Sequence, residues 1–217
     1  MPDVLLAVRY DDHLYDGSAF LILRYPRRAG IERRELHLYV RLLSESMDRY
    51  MDDRQDEDDR LAALRGYGVL DTPNEVQFDA IVRDACKILG TPIALISLID
   101  EHRQWFKAKV GLAPAETPRS ISFCTHAIHG NDTMIVNDAT QDDRFSTNPL
   151  VTGDVGIRFY AGAALKTEDG RRIGTLCVID TKAHPDGMAE RDRVALESLA
   201  RRTMQALELR RTIQAGE

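Results

Sequence analysis

The reactive side chains of this sequence concentrate in Ser122-Phe123-Cys124-Thr125-His126-Ala127-Ile128-His129. A thiol close to an imidazole is a pairing in which the histidine can lower the cysteine's pKa and make it redox-active. Nucleophilic catalysis by such a pair needs a third group to orient the base, and the sequence places none. The plainer expectation is that Cys124 serves as a small hydrophobe while His126 satisfies a backbone group. Cys124, His126 and His129 also fall one ligand short of a zinc site, so no metal is expected. Cys86 lies four residues after Val82 on the apolar side of a helix, and Cys177 sits between Leu176 and Val178 of a strand. Both read as inert core thiols. Dinucleotide fingerprints, phosphate-binding loops and nucleophile elbows are missing from the sequence, and Gly153-Asp154-Val155-Gly156 reads as a turn.

A second set of residues could shape a cavity. In Arg158-Phe159-Tyr160-Ala161-Gly162-Ala163-Ala164-Leu165, a period of two sends Phe159, Ala161, Ala163 and Leu165 to one face and Arg158, Tyr160, Gly162 and Ala164 to the other. Small residues beside an arginine and a tyrosine predict either close packing by a helix or a roofed hollow. Trp105 is expected opposite Phe106, Ala108 and Val110, either as a pocket wall or as a surface aromatic.

The elements that must position these groups begin with helical spacing of Phe78, Ile81, Val82, Ala85 and Leu89, stopped by Gly90. The branched run Ile93 to Ile99 and the segment Gln104 to Val110 form a hairpin. Residues 111 to 157 form an irregular crossing, with a helical turn at Ser122 to Ile128 and a short strand at Met134 to Val136. Asp169-Gly170 joins a second hairpin, and Met188 to Ile213 is a long helix. This order predicts an α+β domain built on an antiparallel sheet. Before it, Ser18 to Tyr25 could form a strand and Glu32 to Met51 a helix. The acidic run Asp52 to Arg60 marks the boundary, which divides the chain into an N-terminal extension of unassigned role (1–51), the main domain with its two terminal helices (52–214) and a tail (215–217).

The chain's 217 residues carry 29 Lys and Arg against 35 Asp and Glu, a net charge of −6. That balance argues against nucleic acid or an anionic membrane as the main partner, because each demands a basic face. The longest clean apolar stretch, Pro92 to Ile99, is far shorter than a membrane span, and the N-terminus lacks the pattern of a secretory signal. Three irregularly spaced cysteines give no disulfide framework, so a cytoplasmic, reduced protein is expected.

Several segments, in this order, resemble a GAF domain. They include Phe78-Asp79-x-Ile81, Pro92 to Asp100, Gln104-Trp105-Phe106-Lys107, Val110-Gly111-Leu112 and Ser122-Phe123-Cys124-x-His126-Ala127-Ile128. The likeness continues through Asp138-Ala139-x-x-Asp142-x-Arg144-Phe145, Asn148 to Val151, Ile157 to Gly162 and Gly174 to Asp180. It runs from about residue 60 to 210 and closely resembles the input domains of bacterial sensor histidine kinases and diguanylate cyclases. The resemblance implies a central antiparallel sheet of about six strands, with the terminal helices on one face and a small-molecule pocket on the other. Mapped onto that pocket, the expected ligand-binding residues are Trp105, Cys124, His126, Phe145, Arg158 and Tyr160. The ligand itself is not specified, and Thr125 between Cys124 and His126 argues against covalent bilin attachment.

The resemblance further implies a regulatory module without catalysis of its own, pairing as a homodimer through its terminal helices. Since no output sequence precedes Glu217, a histidine kinase or diguanylate cyclase partner in trans is expected. The alternatives are a thiol-dependent enzyme like free methionine sulfoxide reductase, or a ligand-free dimerisation scaffold.

Overall fold

The computed structural model describes residues 4–9, 20–25, 33–130 and 133–216, which fall into two compact units, Met1–Arg54 and Gln55–Glu217. In the first unit, β1 (Val4–Arg9) pairs antiparallel with β2 (Phe20–Tyr25), Val4 lying opposite Tyr25 and Arg9 opposite Phe20. Helix α1 (Arg33–Gly66) starts there and does not end at the acidic run, as a linker would. Pairs one turn apart, Gln55 to Asp59 and Arg60 to Glu57, support the helix through that stretch.

The second unit is a six-stranded, wholly antiparallel sheet of order β5-β4-β3-β8-β7-β6. The strands are β3 (Ile93–Ile99), β4 (Arg103–Val110), β5 (Glu116–Pro118), β6 (Met134–Val136), β7 (Phe159–Lys166) and β8 (Arg172–Asp180). This is the expected α+β architecture, and both expected hairpins are present. One face is covered by α2 (Val76–Leu89) and α5 (Glu190–Ala215) together with the end of α1. Helix α2 buries Phe78, Ile81, Val82 and Ala85 against Ala94, Ile96 and Leu98 of β3, and Gly90 closes it in the left-handed conformation at φ 66°. Helix α5 buries Leu196, Leu199, Ala200, Met204 and Leu207. The opposite face is covered by α3 (Phe123–His129), α4 (Pro149–Thr152) and the crossing segments.

Strand β4 contains a bulge. Ile96 pairs with Ala108 and Ser97 with Phe106, which leaves Lys107 without a cross-strand partner. The Lys107 side chain is fully buried, its Nζ 2.8 Å from Thr72 Oγ1, 2.7 Å from the Pro73 carbonyl and 2.6 Å from Glu75. Glu75 also accepts from Arg210 of α5 at 2.8 Å, so one carboxylate joins the start of α2 to β4 and α5. Burying the Lys107 ammonium would be costly without such partners.

The last turns of α1 are fixed to the same sheet by arginines. Arg60, buried, donates to the Ile99 carbonyl at 2.7 Å and to both oxygens of Glu57. Glu57 also receives Arg119 at 2.6 Å, from the turn that precedes α3. Burial pushes the Glu57 carboxyl up, but the two guanidinium groups outweigh it and hold it at about 2, below the ordinary 4.5. A depressed carboxylate contributes stability that is complete above its unfolded value and lost as the pH falls through its folded value. Unfolding free energy should therefore decline between about pH 5 and pH 2, and Glu57→Gln should flatten that part of the curve in denaturant titrations. An unchanged pH profile in the variant would show that this triad contributes nothing.

Candidate functional site

The site lies beneath α3, on the sheet face that α2 and α5 do not cover. Ser122 caps α3, its side chain accepting from the Thr125 N–H at 3.1 Å, so Cys124 falls in the first turn and faces the sheet. The two central strands meet it with side chains at alternate positions. Ser97 of β3 lies opposite Thr175 of β8, and Cys177 lies two residues on, opposite Gly162 of β7. Cys124 Sγ is 3.7 Å from Cys177 Sγ, 3.3 Å from the Tyr160 hydroxyl and 3.5 Å from Gln104 Nε2. Both cysteines and Tyr160 are excluded from solvent.

Several hydroxyl and amide groups therefore surround one thiol in an otherwise apolar layer. Burial pushes the Cys124 thiol up, yet the surrounding Cys177, Ser97, Thr175 and Tyr160 together hold it below the ordinary range. Cys177 is pushed up by its bond to Cys124 and by burial, and Tyr160 is pushed up chiefly by burial. The hydroxyls of Ser97 and Thr175 face the sulfur without a well-aligned bond to it, and Gln104 Oε1 and Thr117 Oγ1 are buried without a partner.

The hollow itself is small. A void of about 20 Å³ lies between Ile93, Leu95, Gln104, Phe106, Thr117, Phe123, Cys124 and Tyr160, roofed by Leu112, Leu150 and Val155. It has room for about one water molecule, not for the metabolite expected from the small residues of β7. Tyr160 is the reason: its ring lies forward along the strand over Gly162, so that a Cβ at Gly162 would overlap the tyrosine hydroxyl and ring. The glycine makes space for a neighbouring side chain.

Of the six residues expected around a pocket, Cys124 and Tyr160 line this void. Trp105 is placed on the other face, in the core beneath α2 and α5, while Phe106 takes the position by the void. The bulge at Lys107 breaks the alternation, so Ala108 and Val110 share Trp105's side. Phe145 is buried and stacks on Phe123 at 3.9 Å, outside the lining of the void. Arg158 donates to the carbonyls of Val151 and Ile157, both at 3.0 Å, and so fixes the turn after α4. His126 is largely exposed, its ring edge-on to Phe145 at 4.9 Å, and partial desolvation on that side, with the nearby Arg144 and His129, pushes its pKa down. Positions two apart on a helix diverge, so His126 does not activate Cys124. Sequence reasoning missed Ser97, Gln104, Thr175 and the approach of Cys177. The polar residues within strands of otherwise apolar pattern were the available signal.

Among the described residues no cluster of His, Cys, Asp and Glu could hold a metal ion, and no helix is long and apolar enough to cross a membrane. The six-stranded antiparallel sheet with helices on both faces is an α+β fold of the GAF type. The GAF domain family model matches residues 73–207, and the chain belongs to that family. It is 47% identical over 151 residues to Cyclic di-GMP phosphodiesterase PA2567 of Pseudomonas aeruginosa, a match covering 69% of this chain and 25% of the relative. The chain thus spans about a quarter of the length of that curated relative. The expectation that the protein is not an enzyme is overturned by this relative, which is named as one.

Among solved structures, the GAF domain of a phosphoenolpyruvate-protein phosphotransferase from Coxiella burnetii matches with a TM-score of 0.54 and 17% identity, over 72% of this chain and 96% of the other. Free methionine-R-sulfoxide reductase of Neisseria meningitidis matches with a TM-score of 0.52 and 18% identity, over 68% of this chain and 87% of the other. At these identities the structural matches establish the shared fold.

Because the Tyr160 ring occupies the space beside Gly162, Gly162→Ala should destabilise the protein by about 2–3 kcal/mol, as overpacked cores do. Thermal melts should show a midpoint lower by about 5–10 °C. A variant melting with the parent would mean that the ring can move aside and that the hollow is larger than it stands.

Proposed function

We infer that this chain is a regulatory GAF module serving cyclic di-GMP turnover in the cytoplasm, and that it acts on a catalytic partner through its terminal helices. The observation that carries this reading is the 47% identity over 151 residues with part of a protein named a cyclic di-GMP phosphodiesterase. The geometry supports a coupling role in two ways. Strands β7 and β8 carry α3 on one face and α5 on the other, so a shift of α3 is felt across a single layer. Arg119, just before α3, reaches Glu57 of α1 and the carbonyls of Asp100 and Glu101. Such a module works only by differing in free energy between two states, by a few kcal/mol at most.

A preformed metabolite pocket is no part of this reading, because the void beside Tyr160 is too small. Self-pairing is part of it: Leu209 and Ile213, one turn apart, stand exposed near the end of α5 and offer apolar surface there. Native mass spectrometry should show a homodimer, and a monomer at micromolar concentration would remove that element.

The central test is the cellular level of cyclic di-GMP. Producing the chain in its host should change that level, and Arg119→Ala, which cuts the contact with Glu57, should return it toward the uninduced value while the protein stays folded. A nucleotide level unaffected by either protein would overturn the proposed role.

A further inference from the structure

The buried thiol pair packs in the core beneath α3, but its chemistry has no part in the regulatory role, and its geometry is specific. Cys124 and Cys177 lie 3.7 Å apart, sulfur to sulfur, on separate elements, whereas Cys86 stands apart on α2. A disulfide requires about 2.05 Å, so an approach of less than 2 Å would join them. The two thiols differ in setting. Cys124 borders the void and is met by the Tyr160 hydroxyl and the Gln104 amide, while Cys177 lies in a central strand away from it. The same void presents Gln104 Oε1, on a side chain 5% exposed, and Thr117 Oγ1, both without hydrogen-bond partners. Unpartnered buried acceptors beside a sulfur and a water-sized space call for a small polar guest. Its half-buried roof of Leu112, Leu150 and Val155 admits only a guest of few atoms.

We propose that Cys124 and Cys177 are a peroxide-oxidised pair, with Cys124 as the attacked thiol and Cys177 as the resolving one. Hydrogen peroxide, larger than one water, enters as the half-buried roof of Leu112, Leu150 and Val155 gives way, and it hydrogen-bonds Gln104 and Thr117. The Cys124 thiolate attacks one peroxide oxygen: an S–O bond forms, the O–O bond breaks, and the departing hydroxide takes up the proton that the Cys124 thiol gave up and leaves as water. The Cys177 thiol then attacks the Cys124 sulfenic acid. The S–S bond forms, the S–OH bond breaks, and that hydroxide leaves as water with the Cys177 proton. Two thiols and one peroxide thus become one disulfide and two waters. Closing the bond draws the first turn of α3 toward β8 and displaces the Tyr160 hydroxyl from the sulfur.

Peptide mapping of the full chain after treatment of the reduced protein with hydrogen peroxide tests this. Expected are a Cys124–Cys177 linked peptide, an intact mass lower by two hydrogens, and loss of two of the three alkylatable thiols, with Cys86 still reactive after unfolding. A thiol reductant should restore both. Cys177→Ser should halt the reaction at a Cys124 sulfenic acid that dimedone captures, and Cys124→Ser should leave Cys177 reduced. The proposal is overturned if all three thiols survive peroxide that oxidises exposed methionines, or if the linkage formed runs through Cys86. The parent protein decides the matter alone should either variant fail to fold.

Discussion

Strands β3 and β8 are covered on both faces, and most of the molecule follows from that. A strand sealed on two sides cannot release a polar side chain to water, so Ser97, Thr175 and Cys177 are turned inward onto whatever closes the layer. What closes it is α3, whose first turn delivers Cys124 into that group. The nest is therefore a product of layer order. Sheet edges are treated differently: β5 and β6, three residues each, are short and flanked by crossing segments.

The opposite layer is held by charge at its margins. Lys107, Glu75 and Arg210 make one chain of contacts, and Arg210 also donates to the Tyr67 and Gly68 carbonyls that follow α1. Arg60 does comparable work at the other end of the sheet by reaching the Ile99 carbonyl. These buried cations replace the missing hydrogen bonds of chain segments that end there, a more secure role than that of exposed ion pairs. They also set which parts can move: α3 is seven residues long and tied mainly by its cap and its apolar side.

Much of the fold was legible because it depends on periodicity. Phe78, Ile81, Val82 and Ala85 mark one side of α2, and Asp169-Gly170 joins β7 to β8 as its type predicts. The alternation of β7 likewise separated Phe159, Ala161, Ala163 and Leu165 from Tyr160. The site was less legible, for reasons that lie outside any local pattern. Strict alternation puts Trp105 on the wrong face because a bulge is a property of two strands read together. Gly162 suggested an empty space because its sequence neighbours are small, whereas the filling side chain came from two residues before it. Cys124 and Cys177 are separated by 53 positions, and only the seating of α3 brings them together.

The bulge at Lys107 carries a further implication for how this strand tolerates change. An unpaired residue acts as a parity switch: everything on its N-terminal side is offset by one step from everything after it. Removal of that single position would restore regular pairing and exchange inside for outside along Arg103 to Phe106, sending the indole toward α3 and the Gln104 amide into oil. Length in this strand is consequently fixed more tightly than composition, and natural insertions or deletions should accumulate in the crossing loops instead.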